Sequence, residues 1–286
     1  ITTHPIIIEE LCKILKEHNC QIFIGESSAY STDLAFKVCG LKKLEKYAKL
    51  VNFESEEKIF HDFPNAKRVP LPAILFKVDL IINLAKMKTH GLTMTTLCVK
   101  NLYGCIPGEL KMIYHKLFHS PESFSHLLVS LNQQIKPELN IIDGIIGLEG
   151  DGPCASGKPI KSKMIIAGKN AFACDIIASE IMGFKPSSIY TNKLSGIKRE
   201  NIEKIGNRND IKLNFKKPKT HNIRFLLFLM NLFPSSKISF DKNKCEKCHL
   251  CEQKCPVKTI SLETKDGFPE CEHKNCIHCV CCIEVC

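Results

Sequence analysis

The final 42 residues carry one cysteine spacing twice, so this end of the chain must fold as a small unit organised around its thiols. The first run is Cys245, Cys248, Cys251 and Cys255, followed by Pro256; the second is Cys276, Cys279, Cys282 and Cys286. Cysteines three apart set their thiolates round one concave loop, and Pro256 turns the chain away from it. A zinc site prefers two Cys-x2-Cys pairs split by a longer loop, and each run holds a third and fourth cysteine too close for that. A disulfide framework suits much smaller secreted scaffolds. Cys281 breaks the intervals and reads as a spare thiol, while Cys271 fits neither run.

The spacing is that of bacterial ferredoxins, in which each run wraps a 4Fe–4S cube and its fourth cysteine reaches across to the other cube. That resemblance implies a small α+β ferredoxin-like domain over residues 241–286 holding two 4Fe–4S clusters. Cys245, Cys248, Cys251 and Cys286 would hold one, and Cys276, Cys279, Cys282 and Cys255 the other. Such cubes pass single electrons and degrade in oxygen, so a redox partner protein and a cytoplasmic location are expected. The chain starts at Ile1 and stops at Cys286, where a ferredoxin fold usually continues, so both ends read as truncated.

A chain of 286 residues has room for one sizeable domain and a small one. Its formal charge of +10 comes from lysine, with only four arginines: Arg68, Arg199, Arg208 and Arg224. The lysines are scattered and tryptophan is absent, which argues against nucleic acid and for a solvated surface with local anion sites. No apolar run is long enough for a transmembrane segment. Residues 216–240 read as a linker: Lys216–Thr220 is basic and broken by proline, and Ile223–Phe233 is an apolar stretch. That stretch suits a helix packing the two domains together, with attachment to a membrane surface as the alternative.

Residues 1–215 alternate between helical and strand patterns. Helices are expected over His4–Asn19, Ser31–Lys49, Thr89–Tyr103, from Ser120-Pro121, and over Asn170–Met182. Strands are expected over Gln21–Gly25, Lys49–Phe53, Val78–Leu84, Glu138–Ile146 and Lys163–Ala167, with a polar, proline-containing stretch before Val78. The fold class is therefore α/β, a mostly parallel sheet with helices on both faces.

Two segments carry candidate chemistry. Lys86, Lys88, Thr89 and His90 follow the Val78–Leu84 strand, where cationic side chains and a helix N-terminus would converge on an anion. His90, Thr93, Leu97, Lys100 or Asn101, and Gly104 fall at helical spacing on the helix expected there. Asp143-Gly144, Gly147, Glu149-Gly150 and Asp151-Gly152-Pro153 form a glycine-rich acidic segment that could approach a ligand closely or bind a cation. The plain alternatives are solvated strand ends and a solvated turn. His115 and His119 read as surface or capping residues because Pro121 interrupts a shared helix. Most cysteines of this region suit burial as small hydrophobes, with Cys105 and Cys154, beside the two segments, as the exceptions.

KMKTHGLTMTTLCVKNLYG (Lys86–Gly104) and DGIIGLEGDGP (Asp143–Pro153) resemble the DUF362 family, uncharacterised proteins often fused to a 4Fe–4S ferredoxin domain. Thr2–Pro5 is similar to that family's TTHP segment, and Asp175 falls at a family aspartate. Gly25-Glu26-Ser27-Ser28 departs from the usual Gly-Asp-Ser-Pro. The resemblance covers residues 1–215 and implies that an N-terminal strand and a Lys-Pro-Asn element are missing. It also implies that Lys86, Lys88, His90, Lys100, Asn101, Asp143 and Glu149 share one site.

The expected function is an iron–sulfur oxidoreductase, or a subunit of one, acting on an anionic small molecule or cofactor. Lys86, Lys88 and Lys100 would hold the anion, and Asn101, Asp143 and Glu149 would orient it. His90 would supply a proton. The alternatives are a non-catalytic electron carrier that docks a partner, and a redox sensor whose clusters are structural.

Overall fold

The computed structural model describes residues 2–28, 31–108, 110–118, 120–153, 157–206, 211–219, 238–255, 257–262, 266–276 and 281–286. Pro5 opens the first helix, α1 (Pro5–Glu17), and the His4 ring caps it by accepting the Ile6 N–H. Proline is tolerated there because the first helical N–H groups have no acceptor within the helix. β1 (Phe23–Glu26) pairs in parallel with β2 (Lys49–Asn52). The helix expected over Ser31–Lys49 is split. α2 (Thr32–Val38) stops before Gly40, whose φ of 75° is cheap only for glycine, and a 3-10 segment over Leu41–Lys46 leads into β2.

The polar, proline-containing stretch is a hairpin. β3 (Lys58–Phe63) and β4 (Ala66–Pro72) pair antiparallel across Pro64 and Asn65. In a two-stranded sheet each strand is an edge, so Pro70 and Pro72 can occupy β4 without breaking a central ladder.

The largest sheet joins β5 (Ile82–His90), β6 (Met94–Thr96), β7 (Leu139–Gly150) and β8 (Gly157–Gly168) in the order β6–β5–β7–β8. Only β5 and β7 run parallel; β6 and β8 are antiparallel to their neighbours. The sheet is mixed, which corrects the expectation of a mostly parallel one. The tight connection after β5 reverses the chain and β8 returns antiparallel to β7, whereas the helical crossover between β6 and β7 restores the parallel direction.

Thr89–Tyr103 is not one helix. β5 continues through Lys86 and Lys88 to His90, the chain turns into β6, and α3 (Cys98–Asn101) takes only the end of the segment. Thr89, Thr93, Thr95 and Thr96 crowd a helix at their branched β-carbons and suit strands. β7 likewise runs through the glycine-rich segment that read as a loop. Asp143 pairs with Lys86 and Leu148 with Lys88, so five steps on β7 oppose two on β5, and Gly144 lies in that bulge. Gly152 allows the end of this segment to close on β5: a Cβ there would lie 2.3 Å from the Thr89 carbonyl oxygen.

α4 (Leu110–Leu117) and α5 (Pro121–Ile135) complete the crossover, with Ser120 capping α5 through the Ser123 N–H. α6 (Ala171–Ile181) is capped by Asn170, and α7 (Tyr190–Leu194) follows. Successive β5 residues face opposite sides of the sheet. Ala85 and Met87 enter a core with Leu127 and Leu131 of α5 and Ile177 and Ala178 of α6. Leu84 packs on the other side, against a cluster containing Ile8 and Cys12 of α1 and Leu44. Helices therefore cover both faces.

The cysteine-rich end has its own small core, Cys251, Cys255, Ile260 and Leu262, with Phe240, Val257, Cys271, Cys282 and Val285 against it. β9 (Ile260–Ser261) and β10 (Glu270–Cys271) pair antiparallel within it. Among the described residues no helix is long and apolar enough to cross a membrane. Ile223–Phe233, His119, Cys154, Pro256 and Cys279 lie outside the described residues.

Candidate functional site

Lys86 and Asp143 meet across the parallel β5–β7 pair, Nζ to Oδ2 at 2.6 Å, and both are buried. Oδ2 also accepts the His4 N–H at 3.0 Å, and Oδ1 accepts the Ile145 N–H at 3.1 Å. The Thr3 hydroxyl donates to the Leu84 carbonyl beside them. Thr2–Pro5 is thus the strap that joins α1 to the sheet, and the ion pair is the buckle.

Asn101 belongs to a buried amide network. Its Nδ2 donates to Asn83 Oδ1 at 2.8 Å and to the Leu84 carbonyl at 3.1 Å, and Asn83 in turn donates to Asn140 Oδ1 and to the Cys98 carbonyl. Satisfied buried networks of this kind fix one geometry. This one sets α3 on the sheet and so sets the stem of Lys100. The Lys100 ammonium lies 5.5 Å from the Tyr103 ring centre and 5.6 Å from that of Phe124.

His90 is fully buried, and its Nδ1 accepts the Leu92 and Thr93 N–H groups at 3.0 and 3.3 Å. Two donors on one ring nitrogen select the neutral tautomer with the proton on Nε2. Glu149 lies elsewhere. Its Oε2 accepts the Lys216 N–H at 2.9 Å, Asp151 accepts the Lys219 N–H, and Gly150 donates to the Lys216 carbonyl. The acids at the end of β7 therefore fasten the chain leading into the linker. Lys86 and Asp143 come together, Lys88 and Lys100 border a second cluster, and Glu149 joins neither.

That second cluster contains residues with no motif to announce them. Lys111 of α4 donates from Nζ to the Ser27 carbonyl, Gly108 donates to Ser27 Oγ at 2.7 Å, and the Ser27 N–H reaches Glu26 Oε1 at 2.8 Å. Burial pushes the Glu26 carboxyl upward, and the charges of Lys111 and Lys88 oppose that shift. Burial pushes Lys111 down to about 8, against the pull of Glu26, Cys105 and Glu54, while Lys100 adds to the fall. Cys105 is pushed up to about 12, chiefly by burial, so it is an inert thiol and not the exception its position suggested. Only the departure at Gly25–Ser28 pointed to this corner.

His115 needs a further correction, and Asp175 a role. His115 is neither surface nor cap: it is buried, 4.5 Å from Phe124 in a stacked contact and 5.3 Å from Tyr103 edge-on. Asp175 accepts the Cys98 and Val99 N–H groups at 2.7 and 3.1 Å, capping α3 from α6. Burial pushes its carboxyl up to about 7, and those hydrogen bonds only partly restrain it.

The folded protein therefore keeps a proton on Asp175 that the unfolded chain releases near the ordinary value of 3.8. Stability falls as pH rises through the window between those values, by up to about 1.4 kcal/mol per unit, and levels off above it. Lys111 has the opposite slope, but only above about 8. Asp175→Asn should flatten the lower window when denaturation midpoints are compared across pH.

The cysteine-rich end tests whether its thiols fit a cluster. Lys247 and His249, inside the first run, have φ of 52° and 60°, so two non-glycine residues curl the loop and a short helix, Leu250–Gln253, follows. Cys245 and Cys248 lie close enough to Cys251 to act on its thiol electrostatically. Cys255 Sγ accepts the Thr259 N–H at 3.3 Å, the type of donor that a cluster-bound sulfur takes. Both Cys255 and Cys276 act on the Cys271 thiol, so the last cysteine of the first run lies toward the second run. Among the described residues no trio of His, Cys, Asp or Glu could close on a single metal ion. The donor type fits a cube, whose four cysteine thiolates each bind a separate iron.

Comparison with known proteins agrees with this division. Residues 1–180 match DUF362, a domain of unknown function, and residues 238–261 match the 4Fe-4S binding domain. The chain is similar to the thylakoid-associated protein sll1697 of Synechocystis sp., 28% identical over 198 residues that cover 66% of this chain and 60% of that protein. Over 61 residues it is 38% identical to the uncharacterized protein MJ0749 of Methanocaldococcus jannaschii, covering 21% of this chain and 22% of that one. It thus spans less than two thirds of the length of either relative. With the first match extending over more than half of its residues and the second over its first cysteine run, the chain belongs to the DUF362 family and carries a 4Fe–4S binding domain.

Proposed function

We propose that the chain is an iron–sulfur oxidoreductase, or a subunit of one, in which two 4Fe–4S cubes exchange electrons with an anionic small molecule bound on the DUF362 domain. When bound, the cubes supply single electrons; Cys245, Cys248, Cys251 and Cys286 would hold one, and Cys255, Cys276, Cys279 and Cys282 the other. The observation that carries the anion site is the gathering of Lys88 and Lys111 beside the partly buried Glu26, with Lys100 close to Lys111. Cationic groups concentrated in a sheltered corner attract an anion more strongly than the same charges spread over a surface. Lys86, Asp143 and Asn101 position this corner, and His90, neutral while Nδ1 accepts two backbone N–H groups, would act there as a hydrogen-bond donor.

Inorganic pyrophosphate is a suitable probe. Lys88→Ala and Lys100→Ala should each weaken its binding about tenfold, the loss of one charge-assisted hydrogen bond, and leave the clusters' visible absorption unchanged. Loss of that absorption in the lysine variants would contradict the separation of roles. A wild-type chain that takes up electrons but shows no saturable pyrophosphate binding would favour a carrier that docks a partner protein.

A further inference from the structure

We propose that Lys111 is an amine nucleophile that condenses with the carbonyl group of an anionic aldehyde or ketone held beside Lys88 and Lys100. The proposal rests on the anion-site reading and adds to it a reacting atom and a substrate class.

Separate elements converge on this amine. Glu26 ends β1 and Ser27 follows it, Glu54 follows β2, Lys100 lies on α3, Cys105 on the turn after it, and Lys111 near the start of α4. Ser27 is the hub. Its carbonyl accepts from Lys111 Nζ, its hydroxyl accepts the Gly108 N–H, and its N–H goes to Glu26. The Tyr103 hydroxyl donates to the Lys111 carbonyl and fixes the backbone at the same residue. Gly104 leaves room for the carboxylate, since a Cβ there would lie 3.1 Å from Glu26 Oε1.

The amine is thus aimed by a neutral carbonyl. Lys13, Lys46 and Lys77 instead bind carboxylates, which hold their pKa values up. Lys111, pushed down to about 8 by burial, is free amine for roughly a tenth of its time at neutrality and about half at pH 8, the form that attacks carbonyl carbon. The neighbouring thiol of Cys105 does not compete, because it stays protonated. Burial raises Glu26 toward its protonated form, which can donate to the carbonyl oxygen.

The step balances without an oxidant. Nζ bonds to the carbonyl carbon as the π electrons move to oxygen, which takes a proton from Glu26. One of the two protons that Nζ gives up joins that oxygen, which leaves as water, the other restores Glu26, and a C=N bond remains. Amine and carbonyl become imine and water, with no change in oxidation level.

The test uses the full chain under anaerobic conditions, pyridoxal 5′-phosphate as the anionic aldehyde, pyridoxal as its uncharged analogue, and borohydride to trap the imine. Peptide mass mapping should place the trapped label at Lys111 about tenfold or more above the average lysine, with half-maximal rate near pH 8. Labelling should be weaker with pyridoxal, should fall in Lys100→Ala, and should vanish from that peptide in Lys111→Arg, which keeps the charge but forms no imine. Label spread evenly over surface lysines would overturn the proposal even if pyrophosphate still bound. Equal labelling of Lys111 by both aldehydes would overturn the anionic substrate class and, with it, the anion-site reading. Unchanged cluster absorption and far-ultraviolet circular dichroism in the variants show that each outcome is read on a folded protein.

Discussion

Replacing Asp143 by alanine is expected to destabilise the DUF362 domain by about 3–5 kcal/mol, read as a lowered denaturation midpoint. The carboxylate is almost fully buried and serves Lys86 Nζ and the His4 and Ile145 N–H groups together. Its removal leaves an ammonium with no counter-charge in a dry setting and releases the strap that holds α1. Lys86→Met leaves the opposite charge buried and should cost a similar amount. The double variant Lys86→Met, Asp143→Leu should cost far less than the sum, because the two charges are lost together. A near-additive double variant, or a loss below about 1 kcal/mol for Asp143→Ala, would mean that water reaches the pair and supports it.

Cys255→Ala is expected to remove one cube and spare the other, although it lies in the first cysteine run. Its thiol sits in the small core beside Cys282 and shares the Cys271 neighbourhood with Cys276. Iron and acid-labile sulfide should fall by about half, and the surviving cube should be the one assigned to Cys245, Cys248, Cys251 and Cys286. Cys248→Ala should remove that one instead. If Cys255→Ala and Cys248→Ala abolished the same electron paramagnetic resonance signal, the crossed assignment would be wrong and each run would hold its own cube.

Much of this architecture was legible where the chemistry is local. His4-Pro5, Ser120-Pro121 and Asn170 mark helix starts because capping depends on residues next to each other. The cysteine spacing is local in the same sense. Thr89–Tyr103 misled because residues three and four apart satisfied a helical pattern, while its threonines favoured the hairpin that formed. The glycines and acids of Asp143–Pro153 misled differently. Gly152 permits close packing on Thr89, and Glu149 and Asp151 accept backbone N–H groups from the chain beyond, so the ligand-like composition serves the fold there.

The candidate site divided along the same line. Lys86 and Asp143 each sit in a recognisable segment, but Lys86 read as an anion-binding residue and not as the buried partner of Asp143. Glu26 and Lys111 were not legible as partners, since they lie far apart in the chain on elements with no shared motif and meet at Ser27. Asp175 was visible as a family position, but its work, capping α3 from another helix, is a tertiary fact.

The most direct test of the account is a redox titration of the anaerobically prepared full chain, followed by electron paramagnetic resonance with electron uptake counted. Reversible uptake of one electron per cube, about two per chain, is expected, with lysine variants at positions 88 and 100 unchanged in that count. A chain that holds zinc in place of iron and sulfide, or whose cubes never cycle, would contradict it.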